Sequence, residues 1–372
     1  MAKFLLAAAT LLGTIVGAGV FALPYVFVKS GVAVCFFYFL LLGFVVIMLH
    51  LFFAQAILSA KKETRLVGLA ERYLGKKAKA LVASAIIAGV AGSLLVYIIL
   101  SGDFLALVLP GAFSPFQYAI LAWLLFTFLV FLGTHSIALV EFLMGIILFA
   151  VVGLILIFSL PYFQTSNLVL FNSQNIFLPF GIIFFSLVGW SALPAVEDIL
   201  KNKKDIKKLI ISVLLFCCLF YFLFGLIISG VSGVKTTGQP FSGIAPFLGD
   251  EAMILGGIFG FLVVATSFIT LANYLKNTFI FDFKAPRTLA LFLACGLPLV
   301  LFLAGLRDFI SVISIVGTFV GAIEGTAIVL IFQKSRKTGD RTPEFSLKVS
   351  KIILFFVVFV LLSGALFQLI YR

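Results

Sequence analysis

Gly13, Gly17 and Gly19, three glycines within seven residues, interrupt an apolar run that Pro24 closes, giving GTIVGAGVFALP at 13–24. In hydrocarbon every backbone N–H and C=O has to be satisfied, so a helix broken this way survives only against protein or beside a wet cavity. The chemistry such a break offers is recognition of a zwitterion. Free N–H groups at the start of a half-helix present about half a positive charge to a carboxylate, and free carbonyls attract an ammonium or a metal cation. An ionised side chain near the bilayer centre would cost about 2.5–3.5 kcal/mol on insertion scales, a cost the backbone avoids. Glycine also lets a solute approach the chain with no Cβ in the way. Gly17, Ala18 and Gly19 are the candidates here.

A second stretch echoes the first. GWSALP at 189–194 matches GVFALP at 19–24, at an offset of 170 residues, so that Gly19 and Pro24 correspond to Gly189 and Pro194. Ser186, Gly189, Trp190 and Ser191 are the candidates of this second break. Gly/Pro-interrupted segments at matching positions of two halves are the best sequence pointer to a transporter's binding site. The competing reading of Gly13, Gly17 and Gly19 is a small-residue packing face, which membrane helices use commonly.

Further polar residues stand in apolar surroundings. Thr266 and Ser267 are adjacent hydroxyls, followed by Thr270 and Asn273. They either bond back to their own helix or supply hard oxygen ligands to Na⁺ beside the carbonyls of a broken helix. Among the carboxylates, Asp103 and Asp308 fall near segment ends, and Glu141 about two turns into its segment. Glu324 lies deepest, beside Gly317, Gly321 and Gly325; it reads either as a proton carrier or as a packing or gating group. His50 and His135 sit near segment ends, and no Cys/His cluster, Ser/His/Asp grouping or phosphate loop accompanies them. The residues therefore point away from an enzyme and call for no cofactor beyond a coupling ion. Cys35, Cys217, Cys218 and Cys295 lie in apolar runs without metal-ligand spacing and read as packing residues.

The elements that must position these groups follow from composition. Of 372 residues, 63% are hydrophobic and 11% charged, a balance that indicates a polytopic all-α membrane protein embedded in a lipid bilayer. The expected apolar segments are 3–28, 32–58, 80–109, 115–132, 135–160, 175–199, 208–232, 246–275, 288–304, 309–332 and 349–370, eleven in all. The first imitates a secretory signal peptide, but its length suits a membrane span. With the N-terminus inside, only Lys29, Lys235, Arg307 and Arg372 of the 26 basic residues fall on the outer side. That asymmetry predicts a cytoplasmic N-terminus and an outer C-terminus in a plasma (inner) membrane, and it accounts for the net charge of +12 without nucleic acid. The loop 61–79 has the pattern of a short amphipathic surface helix. Because five segments separate the two copies of the echo, the repeat must be inverted. The chain then divides into residues 1–160, residues 175–333, and a linker with an accessory eleventh helix at 334–372.

GTIVGAGVFALP, LLVYIILSGD around Tyr97, FSLVGWSALP and VATSF together resemble the hydroxy/aromatic amino acid permease family, and more widely the amino acid/auxin permeases of the amino acid–polyamine–organocation superfamily. The resemblance implies the leucine-transporter fold, a 5+5 inverted repeat with broken helices 1 and 6. It also implies secondary active import of amino acids, neutral, aromatic or hydrophobic, by Na⁺- or H⁺-coupled symport with alternating access. By the same resemblance Gly17, Ala18 and Gly19 hold the substrate carboxylate, and carbonyls near Val16, Ser186 and Gly189 meet its ammonium. Tyr97 and Trp190 wall the side-chain pocket. Carbonyls of Gly13 and Val16 with the hydroxyls of Thr266 and Ser267 fall at the superfamily's sodium position. The fifth segment lacks the lysine that some proton-driven members use there, which favours Na⁺ over H⁺. The alternative class is a non-transporting membrane sensor of amino acids, or a scaffold, that retains this fold. Oligomeric state is not legible in the sequence.

Overall fold

The computed structural model describes residues 2–61, 65–132, 137–238 and 243–370. His135 lies outside the described residues, as does the side chain of Glu141. The described residues form helices and connecting turns, with no strand among them.

The first apolar run is two helices, α1 (Ala2–Ile15) and α2 (Leu23–Ser30), joined by a 3-10 turn, Ala18–Ala22, and bent by 46° at the break. Helix α3 (Val32–Leu58) follows, then a short α4 (Leu66–Leu74), α5 (Lys76–Val108), α6 (Pro115–Leu132) and α7 (Ile137–Ser159). The sixth run is again broken: α8 (Leu178–Leu187), a 3-10 turn Trp190–Ala192, and α9 (Leu193–Ile199). Helices α10 (Ile206–Ser232), α11 (Ala245–Phe281) and α12 (Arg287–Leu303) lead to α13 (Phe309–Ile315). A π-helical turn, Val316–Val320, joins α13 to α14 (Gly321–Thr338), and α15 (Lys351–Ile370) ends the described chain. Eight helices among the described residues are long and apolar enough to cross a membrane, or nine if the bent first pair counts as one span. The apolar stretches 149–162 and 287–303 are shorter.

Sequence explains both breaks locally. Each ends on Ala-Leu-Pro, and Pro24 and Pro194 both sit in the first turn of the helix that follows, where a missing N–H costs nothing. The alanines before them adopt nearly the same conformation, φ −85° and ψ −19° at Ala22 and φ −81° and ψ −16° at Ala192. The six-residue echo is therefore an echo of backbone shape as well as of letters.

Burial separates an inner group from an outer one. Helices α5, α8, α9, α13 and α14 are largely covered, whereas α6 and α15 expose apolar faces through residues such as Phe131, Leu132, Phe355 and Phe359. Exposed aromatic rows of this kind suit a lipid surroundings. The segment 160–177 runs across helix ends, pairing Val32 N–H with the Val169 carbonyl and lending the Asn167 side-chain amide to the Gly230 carbonyl. At the opposite end, the Lys61 backbone N–H and the Arg72 guanidinium hold the Asp340 carboxyl below the usual carboxylate range. Arg341 donates to the Leu58 carbonyl and Gln55 accepts from the Leu347 N–H, so the linker after α14 is tied to the end of α3.

Helix α8 crosses the π-helical turn with backbone close to backbone. A methyl group on Gly317 would overlap the Gly181 carbonyl oxygen, and one on Gly181 would overlap the Ser314 carbonyl oxygen. Substituting Gly317→Leu should lower the unfolding midpoint in detergent, at a cost of roughly 1–3 kcal/mol for forcing atoms into a packed site. Gly296→Ala on α12, where a methyl group meets open space, should leave the midpoint level or slightly raised. Thermal unfolding followed by size-exclusion fluorescence measures both.

Candidate functional site

The two breaks touch. A Cβ on Gly19 would overlap Ser186 at its Cα, Cβ and Oγ, so only glycine permits the first break to lie on the end of α8. The same holds across the pair, where a Cβ on Gly189 would overlap Ile15 at the end of α1. Gly17 faces the Tyr97 side chain of α5, whose hydroxyl would stand 3.2 Å from a Cβ at that position.

Each break leaves a run of unused donors. The N–H groups of Gly17, Ala18 and Gly19 have no protein acceptor among the described residues, and neither do those of Gly189, Trp190 and Ser191. These are the free donors expected where a helix starts afresh. Acceptors are freed as well, because α1 stops: the Ile15 carbonyl accepts the Tyr221 hydroxyl of α10 at 2.9 Å, while those of Gly13, Thr14 and Val16 have no backbone donor. In the second break the Gly189 carbonyl accepts the Ala192 N–H, so it is engaged locally. The Ser186 hydroxyl bonds to the Ile182 carbonyl of its own helix.

Between the breaks opens a cavity of about 650 Å³, a size ordinary for small-molecule sites. Gly17, Ala18, Gly19, Tyr97, Ser186, Trp190 and Glu324 line it, and Val16, Gly189, Gly13, Thr266 and Ser267 do not. Its walls are rich in rings, with Phe53, Phe185 and Tyr274 beside Tyr97 and Trp190. The cavity continues past Trp190 to Arg65, Asp198 and Asp282, near helix ends on the side where most basic residues lie. There the Arg65 guanidinium stands over the Tyr274 ring at 5.4 Å. Burial pushes the Asp282 carboxyl up from its ordinary value, against the pull of Arg65 and Lys79.

Glu324 is buried, 8% exposed, and accepts the Trp190 indole N–H at 2.7 Å. The carboxylate of α14 thus holds the ring that walls the sixth-run break. His50 of α3, eight residues before the end of that helix, packs behind the same ring, 5.6 Å between ring centres, and is fully buried.

The hydroxyls of α11 are arranged differently. Thr266 donates to the Val263 carbonyl of its own helix, at 3.0 Å, and Ser267 is hydrogen-bonded with Tyr97. A methyl group on Gly13 would meet nothing within 4 Å. Helix α1 packs on α7, α9 and α10, while α11 packs on α5, α6, α7 and α12. Sequence reasoning did not single out Tyr221, Tyr274, Arg65 or Asp282, and it passed over His50. A tyrosine inside the α10 run was the one visible signal for Tyr221; the others depend on packing across the chain.

The Tyr221 bond generates a prediction. Replacing Tyr221→Phe leaves the Ile15 carbonyl buried without a donor, at a cost of about 1–3 kcal/mol. Backbone amides of α1 should then exchange hydrogen faster while those of α3 stay protected, which exchange mass spectrometry resolves.

A sequence profile described as the tryptophan/tyrosine permease family matches residues 1–368. A curated relative, "Tyrosine-specific transport system 1" of Haemophilus influenzae (strain ATCC 51907 / DSM 11121 / KW20 / Rd), is 25% identical over 206 residues, 54% of this chain and 50% of its own length. The chain thus spans about half the length of the curated relative it matches. The crystal structure of MhsT in complex with L-phenylalanine superposes with a TM-score of 0.66 at 18% identity, covering 99% of this chain and 97% of that one. At that identity the likeness is one of fold.

Proposed function

The chain belongs to the tryptophan/tyrosine permease family, and from that premise we propose that it is a membrane transporter that imports an aromatic amino acid by cation-coupled symport with alternating access. Permeases move a solute and are not enzymes. The observation that carries the reading is the contact between two broken helices, each with three consecutive free N–H groups, at the head of a cavity lined with aromatic rings. A carboxylate seats on the free donors of Gly17 to Gly19, as anions do at helix starts. The ammonium meets freed carbonyls near Val16 and Ser186, and the ring lies between Tyr97 and Trp190. A curated relative whose printed name is a tyrosine transport system supports the aromatic class.

In this proposal eleven helices cross the plasma (inner) membrane, the first ten as a 5+5 inverted repeat and α15 as the accessory eleventh. The shared Ala-Leu-Pro sequence and the similar conformation of Ala22 and Ala192 support the repeat. The N-terminus is cytoplasmic and the C-terminus outside, supported by the distribution of Lys and Arg. The cavity reaches Arg65, Asp198 and Asp282 on the basic side, which fits an inward-facing conformation.

Two coupling sites follow. Sodium would use carbonyls of Gly13 and Val16 with the Thr266 and Ser267 hydroxyls, which requires α1 and α11 to draw together in the outward-facing state. A proton would use Glu324, which already contacts the wall of the pocket.

Gly17→Leu should abolish uptake of labelled tyrosine and tryptophan into proteoliposomes while the protein still elutes as a folded species. Normal uptake in that variant would overturn the site. Binding without flux in sealed vesicles would favour a sensor that keeps the fold.

Coupling is tested separately. Thr266→Ala combined with Ser267→Ala should remove any dependence of uptake on sodium. Transport driven by a pH gradient alone and indifferent to sodium would contradict that role and leave Glu324 as the coupling group.

A further inference from the structure

The Trp190 indole ring packs against two groups that carry acceptor atoms, Glu324 and His50, and its N–H uses one of them. In this conformation it donates to Glu324 Oε2 of α14. The other is His50 of α3. His50 Nδ1 lies 2.8 Å from the Val46 carbonyl, which can only accept, so Nδ1 carries the proton and the neutral ring presents a bare lone pair at Nε2. That atom is buried and has no partner among the described residues. It stands 3.5 Å from where a Cβ on Gly189 would be, against the break itself. The cavity lining includes Trp190 and Glu324 and not His50, so Nε2 faces the packed wall behind the ring rather than the cavity.

We propose that His50 is a positioning residue for coupling: the Trp190 indole N–H passes from Glu324 to His50 Nε2 when Glu324 takes up a proton from the cavity, and returns when that proton leaves. The proposal rests on the transport reading and supplies its link between a carboxylate on α14 and the hinge between α8 and α9. The ionised carboxylate is the stronger acceptor and holds the indole. Once neutral, it loses that advantage over the imidazole lone pair. The indole then turns toward α3, and the wall of the substrate pocket turns with it. The proton moves between cavity water and Glu324 only; His50 keeps its own proton on Nδ1 throughout.

The surroundings leave Glu324 and His50 few competitors. From α11, Tyr274 is close enough to interact with Glu324, and the Arg65 guanidinium at the start of α4 stands over that ring. From α5, the Tyr97 hydroxyl shares the cavity, while Asp198 and Asp282 lie toward its mouth. Helix α15 meets α14 with apolar residues such as Leu361. Ile15 of α1 and Phe184 of α8 pack on Gly189 and Trp190 without charge.

The chain has two tryptophans, so Trp123→Phe leaves Trp190 as the sole indole reporter. Emission from that protein in lipid nanodiscs is followed from pH ~5 to ~8. A single transition is expected. Glu324→Gln should show the acid spectrum throughout, His50→Leu should lose the transition, and His50→Gln, which keeps an acceptor, should restore it. An unchanged transition in His50→Leu overturns the proposal, as does a transition that survives in Glu324→Gln or is absent from the parent. Should His50→Leu not fold, the ¹⁵N signal of His50 Nε2 in histidine-labelled protein decides instead. It should move on acidification as the lone pair gains a donor without becoming protonated; a fixed signal, or one reporting protonation, overturns the proposal. Tyrosine uptake by the parent is scored alongside, so that absent transport removes the functional reading while the spectroscopic result stands on its own.

Discussion

The constraint on which the rest of this structure depends is that backbone polar groups freed inside a membrane protein must find a partner or face water. Two helices here are cut at the level of the cavity, and each cut frees three consecutive N–H groups. Most of the surrounding arrangement answers that need. Tyr221 reaches from α10 to close the Ile15 carbonyl. Prolines begin the second half of each broken helix, where an N–H would be unused in any case. The remaining donors of Gly17 to Gly19, Trp190 and Ser191 belong to residues that line a cavity.

Glycine enters as the means of bringing the two cuts together. At Gly19 the neighbour is Ser186, and at Gly189 it is Ile15, so each break uses its glycine to approach the other half of the molecule. This reconciles the two readings open at the sequence level, binding and packing. The packing face and the row of free donors coincide here, because Gly19, which permits the close approach to Ser186, is also one of the three residues whose N–H is free. The pair Gly181 and Gly317 does comparable work lower down, letting α8 lie on the π-helical turn and so bringing α14, with Glu324, to the second break.

Local features were legible in the sequence, and long-range ones were not. The breaks themselves were visible, since glycine, proline and their repetition at a fixed offset are properties of consecutive residues. The apolar runs could be read for the same reason, and the amphipathic pattern of 61–79 marked α4, whereas the 3-10 turns and the π-helical turn carry no comparable signature. What hydropathy could not show was the register of helices against one another. His50 lies eight residues before the end of α3, near the segment end the sequence indicates, yet Trp190 and the break at Gly189 pack on it from the sixth run, and it is buried. Thr266 and Ser267 stand adjacent in sequence, but successive helical residues face different neighbours. One bonds its own turn and the other meets Tyr97.

The contact between Trp190 and Glu324 has a consequence that holds for any solute the cavity accepts. One indole ring forms part of the pocket wall and donates to the deepest carboxylate. A ligand that moves the ring changes the number of hydrogen bonds the carboxylate accepts, and so changes its affinity for a proton. By thermodynamic reciprocity, protonation must then change the affinity for that ligand by the same factor. The ring and the carboxylate are in direct contact, because they share a hydrogen bond. The coupling needs no large displacement: in a close-packed interior a hydrogen bond of 2.7 Å is either made or lost by movement of about an ångström. A wall residue that could not donate, such as phenylalanine, would line the same pocket with nearly the same shape and would leave occupancy and charge independent.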